Sequence, residues 1–418
     1  MTQPETAPDL RPPNGYHPAD PDEARDPYPA LADLRRRCPV SRPERDGFPP
    51  LTLFVRYDDI TGILRDYRTF GNIGFFPSLA PYRAMPDERR SIIEMDPPRH
   101  TAVRRLNLIA MKPAAIDAVV PRIEATARTL VDGFRADGSA ELVRRLAVPL
   151  PADAIATVLG LPTDDADMIH EWVESTFSEP VGRGEDAGMA KPMSDLDGGF
   201  TGYLLGEVRR RREAVDPPDD AITRMLRYRT DDGAAFSDDE LVIHIRTLLM
   251  AGNETTTSLI SNLVYRLLTV PGAYDAVVAD RSLVEPLIEE CLRYDSPLTQ
   301  FPRRCFAPTT VAGVALQPDD VVVVSLPSAN HDEAVWGDDA GEFRIDRFAG
   351  QAPDHLSFGL GVHHCVGSYL ARRTARAALH ALLDATGDLS LAPDFRYDKV
   401  WFFEFWRPKR LDVIFRSR

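Results

Sequence analysis

The sequence predicts a mainly α protein with a minor β region, an α+β arrangement, on three observations. An apolar-rich helical pattern opens at Ser237 and lasts to Thr269, which at about 1.5 Å per residue is a helix of roughly 48 Å. Helical patterns also fill most of the stretch from Asp96 to Leu226, with breaks near Pro149, Pro151, Pro162, Pro180 and Pro217. Strand-like composition is confined to Leu51–Val55, Val311–Leu316, Val321–Val324 and the segment Leu389–Ile414. With no internal repeat, low-complexity tract or linker, residues 1–418 read as one domain built on a long spine helix.

The elements follow in order. Residues 1–20 are polar and proline-rich and read as a loose arm, ordered only where it packs. Tyr28–Arg37 reads as a helix and Leu51–Val55 as a strand, and Ile60, Ile63 and Leu64 give Asp58–Tyr67 a helical spacing. Gly71–Met95 lacks periodicity and reads as loop with short helices. Asp96-Pro97-Pro98 starts a helix carrying His100, Arg104 and Arg105, with prolines where a missing donor costs nothing. Ser237 and Glu240 form a capping box for the spine, and Ser282 with Glu285 reads as a second one, opening the helix of Glu290 and Arg293. Asp346–Asp354 is an irregular lead-in to a glycine-rich loop, and a helical pattern runs from Ser368 to Leu383.

Composition excludes several functions. The formal charge of −15 opposes nucleic-acid binding, which needs clustered Lys and Arg. Four scattered cysteines, Cys38, Cys291, Cys305 and Cys365, make no disulfide framework and indicate a reducing compartment, by default the cytoplasm. Neither a signal peptide nor a membrane-spanning apolar run is visible.

The chemistry concentrates in Phe358-Gly359-Leu360-Gly361-Val362-His363-His364-Cys365-Val366-Gly367. Gly359 and Gly361 permit backbone angles closed to other residues, and the helix that follows aims free N–H groups and a partial positive charge at the loop. Such a setting favours a thiolate, a soft ligand suited to a haem iron. A lone cysteine is also a common small core residue. His355, His363, His364 and Cys365 could instead bind zinc, although adjacent ligands close a tetrahedron poorly and no CxxC pair accompanies them.

Phe358-x-x-Gly361-x-x-x-Cys365-x-Gly367, with His363 two residues before the cysteine, resembles the haem-binding signature of the cytochrome P-450 family. The likeness extends over about Tyr28 to Val413 and is to the soluble bacterial type. It implies a triangular helix-rich fold around a buried haem b, with Cys365 as the iron ligand and Phe358, Gly361 and Gly367 framing it. It implies a haem-thiolate monooxygenase that uses dioxygen. Electrons would come from NAD(P)H through separate proteins, ferredoxin and ferredoxin reductase or a flavodoxin, to a monomer without membrane or nucleic-acid partners. Rival readings are a peroxygenase or isomerase on the same fold, and a non-catalytic haem sensor.

Other segments fit the same family. Ala251-Gly252-Asn253-Glu254-Thr255 resembles its Ala/Gly-Gly-x-Asp/Glu-Thr motif, implying that Ala251 and Gly252 admit the cofactor and that Glu254 and Thr255 relay protons. Glu290 and Arg293 match a structural Glu-x-x-Arg pair holding the segment around Phe343–Arg347. His100, Arg104, His363 and Arg303, with Arg304 as rival to Arg303, would meet the haem propionates. His331 stands where the family usually has Arg. Arg372, Arg373 and Arg376 form a basic cluster suited to an acidic redox partner. The substrate would be met by Phe75, Phe76, Leu248, Ala251, Leu298, Phe301, Phe402 and Phe403, among which no cation stands. That lining suits a small, neutral, largely apolar or aromatic molecule.

Overall fold

The computed structural model describes residues 10–20, 26–46, 48–72, 86–162, 165, 168–169, 171–172, 198–399 and 405–418. The arm begins the core sooner than its composition suggests: Tyr16, His17 and Ala19 are buried and Arg42 N–H donates to the Leu10 carbonyl at 2.7 Å. Helix α1 (Tyr28–Arg37) leads to β1 (Val40–Ser41), β2 (Thr52–Phe54), α2 (Tyr57–Arg65) and β3 (Phe70–Asn72). Two short turns of 3-10 helix, Asp87–Arg89 and Ile92–Glu94, precede the first large helices.

Those are α3 (Arg99–Ala110), α4 (Pro113–Arg135) and, after β4 (Ser139–Glu141), α5 (Pro149–Leu159), then α6 (Gly198–Glu213) and α7 (Ala221–Arg227). The spine is α8 (Asp238–Thr269), 32 residues long, and its capping box is present: Glu240 N–H donates to Ser237 Oγ at 3.2 Å while Ser237 N–H donates to Glu240 at 2.9 Å. After α9 (Ala273–Ala279) comes α10 (Val284–Tyr294). Ser282 and Glu285 do not cap it; Asp280 accepts from Ser282 N–H at 2.9 Å and opens a 3-10 turn, Arg281–Leu283, that runs into the helix. An aspartate two residues upstream competes well for the free amides and displaces the serine.

The sheet side holds β5 (Gln300–Cys305), the hairpin β6 (Thr309–Val311) and β7 (Val314–Leu316), and β8 (Val321–Ser325). The order is β1-β2-β8-β5-β3, with β2 and β8 parallel and the other pairs antiparallel. Short helices α11 (Leu326–Ala329) and α12 (Glu333–Trp336) lead to the cysteine loop and α13 (Ser368–Ala385). At the C-terminus the strand reading holds, among the described residues, at its ends, β9 (Thr386–Leu391) and β10 (Asp412–Ser417), and β10 lies between β4 and β9 in a second sheet. Among the described residues between them, Lys399 and Pro408 make a single bridge and Phe405 another with Leu298, and neither Pro393 nor Pro408 can donate to a ladder.

One large apolar cluster ties α3, α4, α5, α8, α10 and α13 together; two smaller ones take alternate residues of β2 and β8 and so lie on opposite faces of the five-stranded sheet. The spine and α13 pack together, so the cysteine is presented from a rigid body rather than from a surface loop.

Candidate functional site

Cys365 lies between a 3-10 turn (Gly361–His363) and α13. Its N–H donates to the Phe358 carbonyl at 2.8 Å, and Gly359 N–H to that of Leu356 at 2.8 Å, which curls the chain back on itself. Gly359 and Gly361 have φ of +67° and +72°, and a Cβ on Gly361 would stand 2.8 Å from the Leu64 carbonyl oxygen. The loop is therefore pressed against the end of α2 as only glycine allows. The Arg372 guanidinium covers the Phe358 ring at 4.4 Å.

Cys365 keeps accessible surface although protein crowds around it. Burial pushes its thiol pKa up, against the Gly367 and Ser368 amides and the Arg104 and Arg372 cations, which all favour the thiolate. The donors foreseen from sequence are in place, but desolvation outweighs them: the chain's own charges do not make this sulfur a thiolate.

The loop is braced from behind. Glu290 and Arg293, both fully buried, meet at 2.7 Å, and Arg293 also donates to the carbonyls of Asn330 (2.9 Å), Ala340 (2.8 Å) and Glu342 (2.8 Å). Glu290 accepts from Arg344 N–H at 2.8 Å and Arg347 Nε at 3.2 Å. Asn330 then holds the start of the loop, donating to Ser357 Oγ at 2.9 Å and accepting from Leu356 N–H at 2.8 Å. His331 is buried against the rings of Tyr28 and Tyr294 and bonded to the Pro327 carbonyl at 2.8 Å; burial holds it neutral, so it does not replace an arginine's charge.

A polar cluster forms where β3, β5, α3 and the loop meet. Asn72 and Arg303 are directly opposed across β3 and β5, and Arg303 Nη1 donates to Asn72 Oδ1 at 3.3 Å. His363 Nε2 and Asn72 N–H both bind the Asp96 carboxylate, at 2.9 and 2.8 Å. A Cβ on Gly71 would meet Asp96 Oδ2 at 2.9 Å and clash with Phe306, so this approach also depends on glycine. The rings of His100 and His363 lie 4.3 Å apart, and Arg104 Nη1 donates to the His364 carbonyl at 2.8 Å. Burial, with His363 and Arg104 adding, lowers the His100 pKa to about 3; burial lowers that of Arg303 to about 10, opposed by Asp96. Arg304 points outward and pairs with Asp319 at 2.6 Å. Asn72 and Asp96 had no predicted site role; only Asp96, heading a Pro-Pro helix start, carried any local signal.

On the spine, Ala251 is exposed although its neighbours Leu249, Met250 and Asn253 are buried. Thr255 Oγ1 donates to the Ala251 carbonyl at 2.8 Å, and Glu254 Oε1 accepts from Arg407 Nε at 2.7 Å, both side chains 13% exposed. Gly252 does not share this face: a Cβ there would meet Ile155 on α5 at 3.6 Å. Leu248, four residues earlier on that same side, packs in the main core cluster. Buried Ile243 and Met250, in contrast, join none of the three core clusters, and with Thr247, Ala251 and Glu254 they lie along one side of the helix. Leu298 and Phe301 are half-buried beside the sheet core. Phe75, Phe76, Phe402 and Phe403 lie outside the described residues.

Residues 190–385 match the cytochrome P450 family model. Erythromycin C-12 hydroxylase of Saccharopolyspora erythraea is 35% identical over 87% of this chain and 88% of its own length. The chain belongs to the cytochrome P450 family. Vitamin D(3) 25-hydroxylase of Pseudonocardia autotrophica is 32% identical, over 88% of each chain. Among solved structures, a cytochrome P450 from Chondromyces apiculatus superposes with a TM-score of 0.83 at 30% identity, covering 96% of this chain and 98% of that one.

As a cytochrome P450 the protein is a haem-thiolate monooxygenase of an organic substrate, with haem and dioxygen as cofactor and co-substrate. The residues present fit a haem: Cys365 is an accessible soft ligand, the buried His100 Nε2 has no hydrogen-bond partner among the described residues, and Arg104 and Arg303 outnumber Asp96 where an anionic edge would be received. The α13 arginines are not a bare basic patch, since Arg372 pairs with Glu289 (2.6 Å), Arg373 with Asp117 (3.1 Å) and Arg376 with Glu285 (3.1 Å). No described helix is long and apolar enough to cross a membrane.

Proposed function

We propose that Cys365 is the axial iron ligand, that His100, Arg104, Arg303 and His363 bind the haem propionates, and that Glu254 and Thr255 deliver protons, in a single-domain, monomeric, cytoplasmic enzyme. The observation that carries the reading is an accessible Cys365 at the turn into α13, flanked by the amides of Gly367 and Ser368. Because burial disfavours a free thiolate there, a bound iron would supply the missing positive charge. Haem, when bound, activates dioxygen so that one oxygen atom enters the substrate and the other leaves as water, with NAD(P)H as electron source. Ferredoxin with its reductase, or a flavodoxin, would carry those electrons.

The chain's residues do the rest. Thr255 donates to its own helix, leaving its oxygen able to accept a proton from Glu254 and pass its own inward on rotation. The substrate is a neutral, largely apolar molecule with ring character. Leu298, Phe301, Met250 and Ala251 supply apolar wall, while Arg407 is engaged by Glu254 rather than offered to a substrate carboxylate. Relatives named for vitamin D(3) and erythromycin, and a Bacillus megaterium structure, CYP109E1, in complex with corticosterone, support ring-bearing substrates. The test is the carbon monoxide difference spectrum of the reduced protein: Cys365→Ser loses the thiolate-type band, whereas Cys38→Ser, Cys291→Ser and Cys305→Ser keep it. An unchanged band in Cys365→Ser would sink the reading.

A further inference from the structure

The guanidinium that holds Glu254 comes from the far end of the chain, and its backbone is fixed independently. Phe405 bridges to Leu298 in antiparallel fashion, and Trp406 N–H donates to the Pro297 carbonyl at 3.0 Å. The Trp406 carbonyl accepts from Asn262 Nδ2 at 2.7 Å, two turns beyond Glu254 on the same spine helix. Trp406 itself is buried against Tyr28, with Lys399 Nζ over its ring at 3.5 Å. Arg407 therefore approaches the spine from a clamped backbone, and its Nε reaches Glu254 Oε1 at 2.7 Å with both side chains mostly out of water.

We propose that Arg407 is a positioning residue that fixes the orientation of the Glu254 carboxylate for proton delivery, and that the C-terminal segment thereby ties this carboxylate to the Leu298 wall of the substrate pocket. The inference rests on the reading of Glu254 as a relay. A carboxylate held by one Nε–H retains a second oxygen to turn toward Thr255, whereas a released carboxylate would sample rotamers and solvent. Geometry of this kind is worth more to a proton transfer than to binding, so losing it lowers turnover efficiency and leaves substrate affinity nearly alone.

The experiment compares Arg407→Gln, Arg407→Lys, Glu254→Gln and the Arg407→Gln/Glu254→Gln double variant as holoenzymes. Three quantities are read: product per NAD(P)H, the solvent isotope effect on product formation, and substrate affinity by spin-state titration. Thermal unfolding midpoints supply a readout apart from turnover. Arg407→Gln should cut product per NAD(P)H at least fivefold, raise peroxide release and the isotope effect, and change substrate affinity less than twofold. Arg407→Lys should recover most of the coupling. The double variant should be no worse than Glu254→Gln, and its loss in melting temperature should be smaller than the summed losses of the single variants. If Glu254→Gln itself leaves coupling unchanged, the relay reading falls and the inference with it. If Glu254→Gln uncouples and Arg407→Gln does not, Arg407 has no positioning role while the relay stands. Should Arg407→Gln fail to fold, Glu254→Asp shortens the reach to an intact Arg407: uncoupling supports the inference and unchanged coupling overturns it.

Discussion

Arg293 gives two of its donors to Glu290, Nε and Nη2 each at 2.7 Å, with neither side chain exposed. The pair's other contacts go to the segment behind the haem loop, to its backbone and to the Arg347 side chain, so it works as a buried joint between α10 and that segment. Removing one partner leaves the other charge buried and alone. Arg293→Met is expected to cost about 3–5 kcal/mol, read by urea unfolding, and to lower the yield of haem-loaded protein. The Glu290→Met/Arg293→Met double variant should regain part of that loss. A single-variant cost under about 1 kcal/mol would place the pair among ordinary surface contacts.

Arg303 and Arg304 are adjacent on β5, yet one faces Asn72 inside and the other Asp319 outside. Arg303→Leu should speed haem transfer to apomyoglobin by roughly 10- to 150-fold, the loss of one charge-assisted hydrogen bond of about 1.5–3 kcal/mol. Arg304→Leu should change it less than about twofold. The reverse ranking would make Arg304 the propionate donor.

His244 is buried beside Phe236, its ring edge-on at 5.9 Å, and burial, with Arg99 adding, lowers its pKa from 6.5 to about 3. The folded pKa is below the unfolded one, so the unfolded chain takes up the proton first as acid is added. Its neutral form contributes full stability above about pH 6.5, and that is lost as pH falls toward 3, with a slope approaching about 1.4 kcal/mol per pH unit. Urea unfolding of His244→Leu should therefore depend less steeply on pH between about 6.5 and 5 than that of the parent. Equal slopes would show that His244 titrates alike in both states.

For the substrate, matched pairs of a neutral ring compound and its carboxylate should separate in spin-state titration. The neutral partner should bind at least about tenfold tighter, because a carboxylate entering this wall loses water without gaining a free cation. Tighter binding of the acid would mean that a cation reaches the pocket after all.

What could be read in advance follows a physical division. The spine helix and its capping box were legible because Ser237, Glu240 and the apolar period are local in sequence. The cysteine loop was legible for the same reason, its glycines spaced around one sulfur. Rotation about the spine was not, since a motif names residues without saying which side packs; Gly252 and Leu248 turned out to face α5 and the core. Partners brought in from distant elements were equally invisible. Glu254 and Arg407 are 153 residues apart, and the carboxylates that neutralise Arg372, Arg373 and Arg376 are on α10 and α4. The second capping box failed because Asp280, outside the pattern, is the stronger acceptor.

Gly361 sits where any side chain would press on the backbone of Leu64 and Arg65. That contact involves main chain on both sides, so no compensating choice of side chain can relieve it. For anyone recombining this protein with a relative, residues 57–65 and 356–367 form one heritable block, although most of the chain lies between them. A crossover that takes one and leaves the other would join two surfaces shaped against different partners, and the cysteine would be misplaced with every residue of its own motif intact.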